Sequence, residues 1–180
     1  METNSEAPRS VNHKKPSVSL RTMGIDDLAQ VFHLGERLFT AEEVPNLYRT
    51  WDEYEVVGLF QTDSPFCLVA DCEDKVVGFA LGATVEKPRS AWKYGHLIWL
   101  GVEPDMQAHG VGKKLFLEMR DLMIEDGVRI MMVDTQADND QAIRFFRKQG
   151  FGKPENHVYL ALNISLLEAR NHHHREPHSK

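Results

Sequence analysis

The chain has 180 residues, 42% of them hydrophobic and 27% charged, a length and balance suited to one soluble domain with a sizeable core. Its formal charge of −6 is uneven: the first sixteen residues hold three basic and two acidic side chains and residues 170–180 hold three and one, leaving 15 basic against 24 acidic between them. Such a body repels nucleic acid and attracts a cationic amine, no run approaches the ~18 apolar residues that span a bilayer, and Cys67 and Cys72 are too few for a disulfide framework.

The first sixteen residues are polar, carry Pro8 and Pro16 and lack the apolar core of a secretory signal. They predict a flexible arm on a cytoplasmic protein. Ser17 to Met23 alternates as a first strand. Asp26 or Asp27 can cap a helix bearing Leu28, Val31, Phe32, Leu34 and Leu38. Thr40 to Asn46 interrupts it with Pro45, and a second helical pattern runs through Leu47, Tyr48, Trp51, Tyr54 and Leu59. After the Ser64-Pro65 turn, Phe66 to Ala70 and Val76 to Val85 read as a hairpin joined across Asp71 to Lys75. Gly95 to Val102 is a fourth strand, ended by Glu103-Pro104.

A helix from about Gly110 places Val111, Leu115, Met119 and Leu122 on one face and stops at Gly127. Arg129 to Thr135 is a fifth strand. Asp138, with Gln141 three residues on, caps a further helix that Gly150 ends. Val158 to Ile164 supplies the last strand, and 165–180 is a polar tail with His172, His173, His174 and His178, which either stays solvated or takes up a stray metal ion. No metal is expected in the working site. Strands alternating with helices predict an α/β class, a mixed sheet flanked by helices.

One loop carries the most chemistry. Gln107-Ala108-His109-Gly110-Val111-Gly112 joins the fourth strand to the long helix. The first turn of a helix leaves amides unpaired and its dipole adds partial positive charge, while Gly110 and Gly112 remove side chains that would hold a phosphate away. The spacing Q-x-x-G-x-G is neither the Walker pattern nor the dinucleotide fingerprint. Downstream, Asn139-Asp140-Gln141-Ala142 leads to Phe146 and then Gly150-Phe151.

Together these segments resemble the GNAT superfamily of acyl-CoA-dependent N-acyltransferases. The likeness spans roughly residues 17 to 164, is most specific over 95–151, and leans toward the branch of ribosomal-protein and protein N-terminal acetyltransferases. It implies a GNAT fold over 17–164 and acetyl-CoA as the acetyl donor, its diphosphate held by Gln107, Ala108, His109, Gly110, Val111, Gly112 and Lys113. It also implies that Leu100, Gly101 and Val102 lie on a strand splayed from its neighbour, with backbone groups free for the pantetheine arm. The Val102 N–H is then the donor facing the thioester carbonyl. Gly101 either permits a close backbone approach or makes room for a neighbouring side chain. Asn139 matches the family asparagine. Phe146 stands where most members have a tyrosine able to protonate the departing thiolate, and phenylalanine cannot do so.

Two side chains compete as general base. His96 lies six residues before Val102, where histone-acetylating members carry a glutamate and some relatives a histidine; strand alternation puts it on one face with Ile98, Leu100 and Val102. Asp134 interrupts the apolar run Ile130 to Val133, and a carboxylate there is costly unless paired or working. Deprotonating an α-amine at pH 7 takes about 1.4 kcal/mol and a lysine about 5, so a modest base suits an α-amine or small polyamine.

Glu42 and Glu43 either hold a cationic acceptor or are solvated. The expected partners are an amine-bearing small molecule or a protein N-terminus, with a homodimer left open and nucleic acid and membrane not expected. The rival reading is a GNAT-like module that binds acyl-CoA without turnover, for which Phe146 speaks.

Overall fold

The computed structural model describes residues 17–40, 50–86, 91–156 and 158. They fall into two units that divide after Asp134. The first holds β1 (Ser19–Thr22), α1 (Leu28–Leu38), α2 (Glu53–Thr62), β2 (Cys67–Cys72), β3 (Lys75–Glu86), β4 (Lys93–Val102), α3 (Pro104–Gln107), α4 (Val111–Glu125) and β5 (Val128–Val133); the second holds α5 (Asp140–Lys148). The strands form one sheet in the order β1-β2-β3-β4-β5. Pairs are antiparallel as far as β4, and β5 runs parallel to β4. Parallel neighbours need a crossover, and α4 provides it. This is the mixed, helix-flanked sheet expected from the sequence. The N-terminal arm, Glu42 and Glu43, Tyr48 and the His-rich tail lie outside the described residues, as does all of the last expected strand but Val158. Among the described residues no helix is long and apolar enough to cross a membrane.

Helices α1 and α2 cover one face of the sheet. Val31, Leu34 and Val56 pack with Phe79, Leu81 and Trp99 in a buried cluster. Phe39, Trp51, Phe79 and Trp99 interlock there, with centroids 4.7 Å apart for Phe39–Trp99 and 5.1 Å for Trp51–Trp99. Trp51 lies so close over Gly35 that a Cβ there would stand 2.0 Å from its ring, and its indole N–H donates to the Phe32 carbonyl at 3.0 Å. Helix α4 covers the other face with Val111, Leu115, Phe116, Met119 and Met123. Met123 takes the buried place expected of Leu122, because Gly82 and Gly95 leave a hollow that its thioether fills.

Local chemistry departs from the sequence reading at two helix starts. The Asp27 carboxylate does not cap α1; it accepts from Gly24 N–H at 2.7 Å and from both Arg21 nitrogens at 2.6 and 2.9 Å. A short 3-10 turn over Ile25–Asp27 leads into α1 instead. Those Arg21 bonds, with the Gly24 amide, hold the Asp27 carboxyl below the usual carboxylate range against the opposing effect of burial. At α5 the cap is Asn139, accepting from Ala142 N–H at 3.0 Å, and not Asp138. Helix α4 begins at Val111 with Gly110 as its N-cap, as expected, and only the short turn α3 before it is additional.

Candidate active site

The loop between β4 and α4 folds into the arrangement its glycines allow. Gly110 is left-handed (φ 74°) as the N-cap of α4, with open space where a side chain would sit. The first bond of the helix runs from Lys114 N–H to the Gly110 carbonyl at 3.1 Å. The amides of Val111, Gly112 and Lys113 have no acceptor among the described residues. Three consecutive donors at the positive end of a fifteen-residue helix suit a diphosphate. His109 and Gly110 spend their own amides on Met106 and Gln107 carbonyls. The Gln107 side chain turns back, its amide donating to the Val102 carbonyl at 3.2 Å.

That contact joins the loop to the edge of β4 that faces away from β3. Glu103 N–H bonds the Val77 carbonyl at 2.9 Å, so alternation turns the N–H and C=O of Val102 and Leu100 away from β3. On that side β5 pairs with β4 only from Lys93 to Leu97. From Ile98 to Val102 no strand of the described residues pairs with this edge. The Leu100 N–H and C=O and the Val102 N–H on this side are therefore available to an extended ligand.

A bulge rearranges the faces. Opposite Leu81 and Gly82, β4 carries one extra residue, Ile98, between Leu97 and Trp99. Gly95 and Gly101 are six residues apart, yet a Cβ on the first would strike Met123 and on the second Phe79 and Leu38. The expected common face of His96, Leu100 and Val102 is thus corrected. His96 pairs with Ala83 on the α1/α2 side, and Leu100 and Val102 pair with Ala80 and Gly78 on the α4 side. Val102 touches the start of α4, where a Cβ on Gly112 would lie 3.5 Å from its methyl. Gly101 makes room for Phe79 and Leu38, one of its two expected readings.

His96 and Asp134, rivals in the sequence, are partners in space. His96 aligns with Met132 of β5, and Asp134 follows two residues later. The imidazole Nε2 and Asp134 Oδ1 are 2.5 Å apart, with the side chains 24% and 43% exposed. The pair sits where β4 and β5 part, on the face opposite α4. In the second unit, Phe146 packs edge-on against Phe145 and Phe151 in α5 and the turn beyond it.

Sequence reasoning missed three supports. The run Leu97-Ile98-Trp99-Leu100 breaks alternation and is the only written sign of the bulge. Gln107 as a tie to Val102 left no sign. Neither did Glu103, which Arg37 of α1 grips at 2.5 Å and Lys75 of β3 approaches at 3.6 Å, anchoring the end of β4.

Comparison with known proteins fits this geometry. The model of the acetyltransferase (GNAT) family matches residues 28–151. A mycothiol acetyltransferase of Sanguibacter keddieii is 30% identical over 149 residues, covering 81% of this chain and 47% of its own length. The chain thus spans about half the length of the curated relative it matches. An aminoglycoside acetyltransferase from an uncultured soil metagenomic sample, solved with trehalose, superposes with a TM-score of 0.65 at 24% identity over 81% of this chain and 97% of that one. An aminoglycoside N-acetyltransferase solved with CoA gives 0.65 at 20% identity over 83% and 97%. The chain belongs to the acetyltransferase (GNAT) family.

Proposed function

We propose that this protein is an N-acetyltransferase that transfers an acetyl group from acetyl-CoA to a primary amine by direct attack in a ternary complex. The observation that carries it is the row of three amides, Val111 to Lys113, without an acceptor among the described residues, beside the Leu100–Val102 end of β4, which no described strand pairs on the side away from β3. Bound acetyl-CoA supplies an acyl group on a thiolate able to leave. Gln107 to Lys113 hold the diphosphate, and the Leu100–Val102 edge takes up the pantetheine arm. Val102 N–H meets the charge that develops on the acyl oxygen.

His96 acts as general base, removing a proton from the ammonium so that the nitrogen lone pair can attack. Donor and base lie on opposite faces of the sheet, joined through the gap between β4 and β5, which suits a donor and acceptor entering from two sides. Glu42 and Glu43 for the acceptor, and Asn139 and Phe146 for the cofactor, remain the residues that the family resemblance adds.

The acceptor is an amine-bearing small molecule, a reading supported by the names of the relatives, mycothiol and aminoglycoside acetyltransferases. A protein N-terminus is the other acceptor class. Phe146 favours a second reading, an acyl-CoA-binding module without turnover. Thiol release from acetyl-CoA with a panel of small amines and N-terminal peptides separates them. Turnover with a small amine supports the enzyme, and turnover with peptides alone shifts the acceptor class. Calorimetric CoA binding with no turnover across the panel supports the module, and no CoA binding overturns both.

A further inference from the structure

The His96–Asp134 contact says more than that two polar groups meet. An ionised carboxylate only accepts hydrogen bonds, so the imidazole nitrogen facing it, Nε2, carries the hydrogen. The other nitrogen, Nδ1, is left with the lone pair. An ion pair as exposed as this one adds little to folding, so stability gives little reason for a carboxylate at the end of an apolar strand. Its position gives a better one. His96 is the last residue but one of β4 to pair with β5, and Asp134 is the first residue beyond β5. The ring therefore stands where β4 and β5 part, with Nε2 held and Nδ1 without a hydrogen bond among the described residues.

Resting on the assignment of His96 as base, we infer that Asp134 is a positioning residue that fixes the His96 tautomer and makes Nδ1 the basic nitrogen. In the step it serves, an N–H bond of the substrate ammonium breaks and an Nδ1–H bond forms. The amine lone pair forms the new C–N bond, and the thioester C–S bond breaks with its electron pair leaving on the coenzyme A sulfur. The second nitrogen proton passes to water or to that thiolate, and the imidazolium is held by the Asp134 carboxylate. The first proton then leaves through Nδ1 to water or to the departing thiolate.

The test uses the full chain with 15N-labelled histidine, the His96 signals being assigned by their loss in His96→Ala. Wild type is expected to show a protonated Nε2 and a bare Nδ1. Asp134→Asn is expected to mix the tautomers and lower kcat ten- to a hundredfold with unchanged affinity for acetyl-CoA. Asp134→Glu should recover part of that loss. The double variant His96→Ala/Asp134→Asn should be no slower than His96→Ala alone. A hydrogen on Nδ1 in wild type, or losses that multiply in the double variant, would overturn the inference. Full turnover in His96→Ala would instead remove the base assignment, and a tautomer still set by Asp134 would mark that as the failed part.

Discussion

The side-chain amide of Gln107 donates to the main-chain carbonyl of Val102 at 3.2 Å, tying the loop before α4 to the end of β4. The bond sets the spacing between the amides proposed to hold the diphosphate and the N–H proposed to face the acyl oxygen. Gln107→Ala removes the tie and is expected to raise KM for acetyl-CoA several-fold. Gln107→Glu sets a carboxylate against that carbonyl and beside the diphosphate, and is expected to raise it further, tenfold or more, which is about 1.4 kcal/mol. Steady-state kinetics and CoA calorimetry on the two variants check the order. Equal effects, or none, would mean the tie does not govern donor binding.

The two glycines of the loop separate folding from binding. At Gly110 the positive φ is the constraint, so Gly110→Val is expected to lower stability by about 1–2 kcal/mol. At Gly112 the backbone is helical and a Cβ meets Val102 at an ordinary 3.5 Å, so Gly112→Ala folds as well as wild type. The longer side chain of Gly112→Leu starts against Val102 and crowds the end of β4 beside the free amides. It should weaken CoA binding at least tenfold with the melting temperature little changed. Thermal melts beside calorimetry read both; a Gly112→Leu protein that binds CoA normally removes the amides as the diphosphate site.

Which features the sequence disclosed follows from whether they are local. The anion loop is local: Gly110, Gly112 and the helix after them sit within one short stretch, and their spacing alone predicts the free amides. The order of strands and helices is legible for the same reason, through periodicity and turn residues. The His96–Asp134 bond is not local. It depends on β5 running parallel to β4 in a register that aligns His96 with Met132, and nothing near either residue records that. The face of His96 was misread because alternation assumes a regular strand, and the extra residue Ile98 inverts every side chain after it. Asp27 was misread as a cap because Arg21, across the turn from β1, competes for the same oxygens.

Asp27 makes stability depend on pH in a definite direction. Its folded carboxyl titrates lower than an unfolded one because Arg21, and then the Gly24 amide, bond its charged form. A depressed value adds stability that is fully present above the unfolded pKa near ~3.9 and is lost as pH falls through the folded one. Asp27→Asn keeps the shape but not the charge, and is expected to cost about 1–3 kcal/mol at pH 7. Exposure of Arg21 to solvent favours the lower half of that range. Urea melts from pH 7 to pH 2.5 should show the gap between wild type and variant closing below about pH 4. A gap that stays constant would mean the Arg21 contact is not what holds Asp27 charged.

Gly35 tests the packing that carries the α1/α2 face. A methyl group there would lie 2.0–2.5 Å from three atoms of the Trp51 indole. The ring cannot slide away cheaply, since its N–H is bonded to the Phe32 carbonyl and its faces contact Phe39, Phe79 and Trp99. Gly35→Ala therefore sets helix propensity, which favours alanine by about 1 kcal/mol, against overpacking of about 1–3 kcal/mol or more. Overpacking should win, because the obstacle is a rigid aromatic ring and not the tip of a flexible chain. The expected outcome is a melting temperature several degrees lower and a changed tryptophan emission, as Trp51 is pushed off Trp99. Gly58 is the control: it lies in α2 with nothing within 4 Å of a built Cβ, so Gly58→Ala should be neutral or stabilising. If both variants melt alike, the close approach of Trp51 to α1 is not a tight contact in solution.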